Sequence, residues 1–144
     1  MIRDDERSFI ASEVHHLYYD EDENCARTTL RCLSHLFSVP LAEDVLSAAL
    51  GMHGASYYGA QCGLVEGTLM FIGLLGISLG KSRSDIEKLC NGFASAFEKE
   101  FSSLNCSVLR PGGFKADDPP HLCLPLTVKS IEFSYNYIRD NWCY

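Results

Sequence analysis

The stretch Gly59–Gly80, GAQCGLVEGTLMFIGLLGISLG, decides the fold because it is the longest apolar run in the chain. Gly59, Gly63 and Gly67 recur every four residues, so a helix would place them on one face. Each glycine in a helix interior costs about 1 kcal/mol relative to alanine. The stripe therefore indicates that another backbone or a bulky cofactor lies against this face, or that the glycines serve core packing alone. We predict a buried central helix with Cys62 in its first turn.

The rest of the chain has helical periods and no alternating strand pattern. Asn24 and the serines at 82 and 84 are candidate N-caps, and Pro40 and Gly51 are candidate helix ends. The other predicted helices cover residues 5–19, 25–39, 42–50, about 83–102 and 121–142, with a short turn at 106–111. We expect one domain over residues 1–144, an all-α compact bundle of five or six helices around the glycine-rich helix.

Composition excludes some classes of function. The chain has 144 residues, 47% hydrophobic content and a net charge of −7, with scattered basic residues, which argues against nucleic-acid binding. Gln61, Glu66, Thr68 and Ser78 interrupt the apolar run, so no membrane span is expected. The N-terminal sequence MIRDDERSF has no apolar signal-peptide core, and we expect a cytoplasmic location.

Four of the seven cysteines share one context, the start of a predicted helix. Cys25 follows the N-cap Asn24, Cys62 follows a glycine-rich loop, and Cys106 and Cys123 also follow loops. The partial positive charge of a helix N-terminus is expected to lower thiol pKa values. Without an export signal, we expect reduced thiols in metal or redox roles. No C-x-x-C pair occurs, so the spacing alone identifies no zinc or thioredoxin-like site.

These cysteines and glycines resemble the C_GCAxxG_C_C family of redox-active proteins over nearly the whole chain. The matching residues occur in the family's order: Asn24-Cys25-Ala26 and Leu30; Gly51, Gly54 and Gly59; Cys62, Gly63, Gly67, Leu69, Met70 and Ile72-Gly73-Leu74; Cys106 and Leu109; and Cys123. The chain departs from the family pattern at Leu64, where alanine is usual, and at Glu66, where a small residue is more common.

The resemblance implies a helical domain with a redox or metal centre formed by four cysteines, Cys25, Cys62, Cys106 and Cys123. It implies an iron–sulfur cluster, [2Fe–2S] or [4Fe–4S], that exchanges electrons with a redox partner protein. We expect the site to be shaped by Gly59, Gly63 and Gly67. Three alternatives stay open: a thiol–disulfide module without metal, a structural zinc site, and a bundle whose thiols only pack.

Several residues have no place in this pattern. The unmatched cysteines, Cys32, Cys90 and Cys143, are interpreted as structural or incidental. His53 is the histidine best placed for chemistry, but it has no partner at a ligand spacing and is interpreted as structural. No phosphate-binding loop, H-E-x-x-H motif or nucleophile elbow occurs, and whether the protein is an enzyme stays open. The C-terminal aromatic residues, Tyr135, Tyr137, Trp142 and Tyr144, cannot all face one small core, which suggests a homodimer.

Overall fold

The structure is a computed structural model that describes residues 1–142. This part of the chain forms eight helices. Cys143 and Tyr144 lie outside the described residues. The helices are α1 (Asp4–Tyr19), α2 (Cys25–Phe37), α3 (Glu43–Ala48), α4 (Gly54–Tyr57), α5 (Gly63–Ser78), α6 (Arg83–Phe101), α7 (Cys106–Leu109) and α8 (Leu124–Trp142). The all-α prediction is confirmed. The five longer helices, α1, α2, α5, α6 and α8, correspond to predicted helices, whereas α4 and α7 are single turns within the predicted loop and turn.

Helix α5 is the centre of the bundle, as predicted, and α2 is its main packing partner. Phe71, Ile72 and Leu75 of α5 are completely buried. Around α5, the fully buried side chains of the other long helices are Ile10 and Val14, Leu30 and Leu33, Phe93 and Phe97, and Ile131 and Ile138. The hydrophobic effect of this shared core is the main force that holds the five long helices together.

Two glycines allow the close approach of α2 and α5. A Cβ added at Gly67 would lie 2.6 Å from the carbonyl oxygen of Ala26. A Cβ added at Gly63 would overlap the Cys25 Sγ and lie 3.0 Å from the Ala26 backbone nitrogen. These contacts explain why the chain accepts the cost of two glycines in one helix. The backbone predicted to lie against the glycine face is that of α2.

The prediction that Gly59 belongs to this helical stripe is wrong. Helix α5 begins at Gly63 with Cys62 as its N-cap, so Cys62 precedes the first turn instead of lying within it. Gly59 lies in the preceding loop with a φ of +96°, and a Cβ there would lie 3.1 Å from the Cβ of Ser107. Residues 60–62 are extended because they pair with the chain before α7, through an antiparallel bridge between Gln61 and Asn105.

The described aromatic residues of α8 find partners within the chain. The Tyr135 hydroxyl donates a 2.7 Å hydrogen bond to the Glu6 carboxylate. The Tyr137 ring lies 5.5 Å from the Phe93 ring, and the Trp142 ring lies beside Gly76. These three residues therefore have contacts within the chain, and the homodimer stays a prediction.

None of the helices within residues 1–142 combines the length and the apolar character that a membrane crossing needs. Helix α5 is the most apolar of the long helices, but it has only 16 residues and contains Glu66.

Candidate four-cysteine site

Each of the four matched cysteines lies at the start of a helix. Cys25 is the first residue of α2, where the Asn24 side chain accepts a 2.8 Å hydrogen bond from the Arg27 backbone N–H. Cys62 is the N-cap of α5, Cys106 is the first residue of α7, and Cys123 directly precedes α8. Because these helix starts are far apart in sequence, tertiary structure must bring them together.

Backbone hydrogen bonds hold the second and third cysteines side by side. The Cys62 N–H donates to the Leu104 carbonyl oxygen at 2.8 Å, and the Cys106 N–H donates to the Ala60 carbonyl oxygen, also at 2.8 Å. These two bonds flank the Gln61–Asn105 bridge. The start of α5 and the start of α7 are therefore fixed to each other by the main chain.

Glycines bring the first and third cysteines against neighbouring segments. The Cys25 side chain packs directly on Gly63, at the first turn of α5. The Cys106 side chain packs on Gly54, where an added Cβ would lie 3.0 Å from the Cys106 Sγ. Gly54 begins α4, and positive φ values at Gly54 and at the next three residues make this a left-handed turn. A side chain at Gly54 or Gly63 would displace a thiol of the site.

Three of these cysteines, Cys25, Cys106 and Cys123, line one cavity of about 80 Å³. The other side chains on its wall belong to Tyr18, Glu23, Asn24, His53, Tyr57, Arg110, His121 and Leu122. Cys62 is 95% buried beside this cavity and does not line it. We refer to this space as the thiol cavity. Cys32, buried on α2, and Cys90, on α6, are not part of its wall.

The predicted lowering of thiol pKa values is wrong for this site. Burial raises the pKa of the Cys62 thiol to about 12, and burial also raises the pKa values of Cys25, Cys106 and Cys123. The other three thiols raise the pKa of Cys25 further, whereas the Arg110 guanidinium acts in the opposite direction on Cys106 and Cys123. Desolvation therefore outweighs the helix N-termini, and the thiols interact electrostatically as one group.

Polar residues missed in the sequence complete the wall of the cavity. The Tyr18 hydroxyl shares a 2.7 Å hydrogen bond with the Thr127 hydroxyl, and its ring stacks on the His121 ring at 4.9 Å. Arg110 lies 3.4 Å from the Asp118 carboxylate. Tyr18 lies on the apolar face of α1, so the sequence pattern predicts only that it belongs to the hydrophobic core. No motif in the sequence identifies Arg110 as a site residue, and only the tertiary structure brings it to the cavity wall.

His53 is the residue on this wall with an unsatisfied polar atom. Among the buried side-chain nitrogen and oxygen atoms without a hydrogen-bond partner in residues 1–142, only the Nδ1 of His53 belongs to the cavity wall. Burial lowers the pKa of His53, which favours the neutral imidazole. The Tyr57 ring packs edge-on against the His53 ring, with centroids 4.7 Å apart.

The donor chemistry of the thiol cavity suits a soft metal ion or an iron–sulfur cluster, because both prefer thiolate sulfur. All six described cysteines are free, so the four thiols are available as ligands. In the conformation described for residues 1–142, no group of three or more His, Cys, Asp or Glu side chains has the spacing that holds a metal ion. Side-chain rotation within the cavity would have to bring the sulfur atoms to bonding distance.

The fold and the site together define a class: an all-α protein with four cysteines at the starts of four helices, three of which line one small cavity. A family model described as "Putative redox-active protein (C_GCAxxG_C_C)" matches residues 23–137. The chain belongs to this family, as the resemblance in the sequence predicted. The matched region includes all four cysteines and extends from the residue before Asn24 to Tyr137 in α8. Among curated proteins and solved structures, no significant match to the chain was found.

Proposed function

We propose that Cys25, Cys62, Cys106 and Cys123 hold one iron–sulfur cluster and that the protein transfers electrons to and from a redox partner protein. The observation that carries the proposal is convergence. Three of the four thiols line one cavity, and the fourth is fixed by main-chain hydrogen bonds to the segment that carries the third. A bundle that used its cysteines only for packing would have no need to place four helix N-termini at one point.

Electrostatics supports the same proposal. Burial raises the pKa values of the free thiols, and repulsion from neighbouring thiolates raises those of Cys25 and Cys62 further. An iron–sulfur cluster supplies positive iron to stabilise the thiolates, and it supplies one-electron chemistry. The protein contributes the helix N-termini and the Arg110 guanidinium, which both favour negative charge on sulfur. The free state of the six described cysteines is in keeping with a reducing, cytoplasmic compartment.

The test is the iron content, the acid-labile sulfide content and the visible spectrum of protein purified without oxygen. We expect iron and sulfide in equal amounts, and visible absorption that bleaches on reduction with dithionite. Equal amounts of iron and sulfide are expected for both [2Fe–2S] and [4Fe–4S], and the number of iron atoms per chain distinguishes the two. Colourless protein without iron or sulfide, even after reconstitution with both, would contradict the proposal.

A thiol–disulfide module is the second candidate, because the described side chains do not have metal-binding spacing. In such a module, two thiols lose two protons and two electrons to an oxidant such as a disulfide of the partner protein, and one S–S bond forms. The protein would then be colourless, and the number of free thiols would fall by two for each bond. Structural zinc would give equally colourless protein, but elemental analysis would find about one zinc per chain.

A further inference from the structure

Four exposed aromatic side chains lie next to the thiol cavity: Tyr19, Tyr57, Tyr58 and Phe114. Tyr57 is part of the cavity wall, and Tyr58, the next residue in the chain, is 88% exposed. The Tyr19 ring lies 5.2 Å from the ring of a wall residue, His121. The guanidinium of another wall residue, Arg110, lies 5.0 Å from the centre of the Phe114 ring. Exposed apolar groups that gather in this way mark interaction sites.

The thiols of the cavity are within reach from outside the protein. Cys25, Cys106 and Cys123, which line the cavity, are each partly exposed, whereas Cys62 is buried. A protein that docks over the opening of the cavity therefore comes close to these thiols and contacts the aromatic rings beside them.

Acidic side chains border the aromatic group. The run Asp20-Glu21-Asp22 directly follows Tyr19, and all three carboxylates are exposed. Two imidazoles lie close to this run: His16 pairs with its first two carboxylates, and the His121 Nε2 lies 3.3 Å from the Asp22 carboxylate. Even with both imidazoles protonated, two positive charges meet three negative ones, and the net charge of the chain, −7, adds to the negative potential.

The charge of this border decides which kind of partner fits. Arg27 and Arg31 are ion-paired with the wall residue Glu23, and Arg110 is ion-paired with Asp118. Lys115, beside Phe114, is offset by the exposed Asp117 in the same loop. A second copy of the chain would bring the same acidic run to this face, and nucleic acids and anionic membranes are also negative, so the face disfavours all three. A protein with a basic border around an apolar contact is complementary to it.

We propose that residues 19–22 together with Tyr57, Tyr58 and Phe114 form the docking face for the redox partner protein, and that this partner presents basic residues around an apolar contact. The inference rests on the proposed function, because it names the partner of the same site, but it holds equally for a cluster and for a thiol–disulfide module. Electron-transfer interfaces are small and bury less than about 1,200 Å² in total, so a few aromatic residues with a charged border are enough.

The test uses a cytochrome c with a lysine-rich face as the probe and measures its affinity for the full chain by isothermal titration calorimetry at low ionic strength. The double variant Glu21→Gln with Asp22→Asn removes two negative charges from the docking face, and we expect binding to weaken about tenfold. Asp22 has a φ of +50°, a conformation that asparagine also adopts readily, so this variant should fold.

The matched control is the double variant Asp85→Asn with Glu87→Gln, which removes the same number of charges from exposed positions on α6. Ile86, between these two residues, lies beside Gly76, which is about 20 Å along α5 from Cys62. We expect the affinity of this variant to equal that of the wild type.

A second pair of variants tests the aromatic part of the docking face. Tyr58→Ala should weaken binding about fivefold or more, because exposed tyrosines often dominate the affinity of an interface. Ile77→Ala is the control, since Ile77 is similarly exposed, at the far end of α5. Both side chains are exposed, so neither truncation should change the stability of the chain by much.

The inference predicts that only the variants of the docking face lose affinity and that wild-type binding weakens as the salt concentration rises. Equal losses in the two double variants would overturn it, because net charge alone would then explain binding. Absence of wild-type binding at low ionic strength would overturn it as well. Docking needs no bound metal, so iron-free protein that still binds through this face would end the cluster proposal and leave the docking face intact.

Discussion

Gly63→Ala is expected to destabilise the fold by about 3 kcal/mol and to displace the Cys25 thiol from the site. The added methyl group would overlap the Cys25 Sγ and lie 3.0 Å from two backbone atoms, the Ala26 nitrogen and the Met52 oxygen. A flexible side chain could move aside, but main-chain atoms of α2 can move only if the helices separate. Chemical unfolding followed by circular dichroism measures the loss, and the iron content of the purified variant reports the displaced ligand.

Gly73→Ala is the matched control in the same helix. No atom lies within 4 Å of a Cβ built at Gly73, so the methyl group meets open space. The substitution should stabilise the protein by about 0.5–1 kcal/mol through helix propensity, with iron content unchanged. Gly63 is the first residue of α5 and Gly73 lies in its interior, so the propensity gains differ by at most about 1 kcal/mol, and the rest of the difference reports the contact with α2. Equal stability of the two variants would contradict the close packing of α2 against α5.

Serine in place of any one matched cysteine is expected to lower the iron content at least about tenfold. Each of the four sulfurs is proposed as a ligand, and the serine oxygen is a harder donor that binds iron–sulfur clusters poorly. The four single variants, Cys25→Ser, Cys62→Ser, Cys106→Ser and Cys123→Ser, are purified without oxygen, and iron is measured per folded chain. The informative case is Cys62, which lies beside the thiol cavity instead of lining it.

Cys90→Ser is the control for these variants, because Cys90 is a half-buried thiol on α6, away from the cavity wall. It should keep the wild-type iron content and spectrum. A matched cysteine whose serine variant also keeps full iron content is not a ligand. If this were true of Cys62 alone, the centre would have three cysteine ligands and an unidentified fourth. If it were true of all four, the proposed centre would not exist.

The sequence predicts those parts of the fold that depend on local signals. The Asn24 cap places the start of α2 correctly, and Ser82 caps α6 by accepting the Asp85 N–H, as one of two candidates. Helical periodicity identifies all five long helices. It is misleading at Gly59, because Gly59 precedes Gly63 by the four residues expected on one helix face, although the backbone at Gly59 is not helical. The pairing of residues 60–62 with residues 104–106 overrides this local pattern, and no local pattern shows such long-range pairing.

The candidate site was predictable only in its cysteines. Their shared position at helix starts is a local property, whereas the placement of Cys25, Cys106 and Cys123 on one cavity wall depends on tertiary contacts. The error about thiol pKa values has the same origin, since a helix N-terminus can be recognised in the sequence but the burial of a thiol cannot. Arg110 was missed because it reaches the cavity from the end of α7 and has no spacing signature. His53 was singled out in the sequence but interpreted as structural, because it has no partner at a ligand spacing, and the fold places it on the cavity wall.

Native mass spectrometry of the protein purified without oxygen tests the central claim most directly, because the intact mass counts both the bound atoms and the thiol protons that binding displaces. The account predicts the mass of the chain plus one iron–sulfur cluster minus four thiol protons. On acid denaturation the mass should return to that of the free chain. The variant with serine at all four positions should show only the free-chain mass. A wild-type chain at its metal-free mass after reconstitution, or a cluster retained by that fourfold variant, would contradict the account.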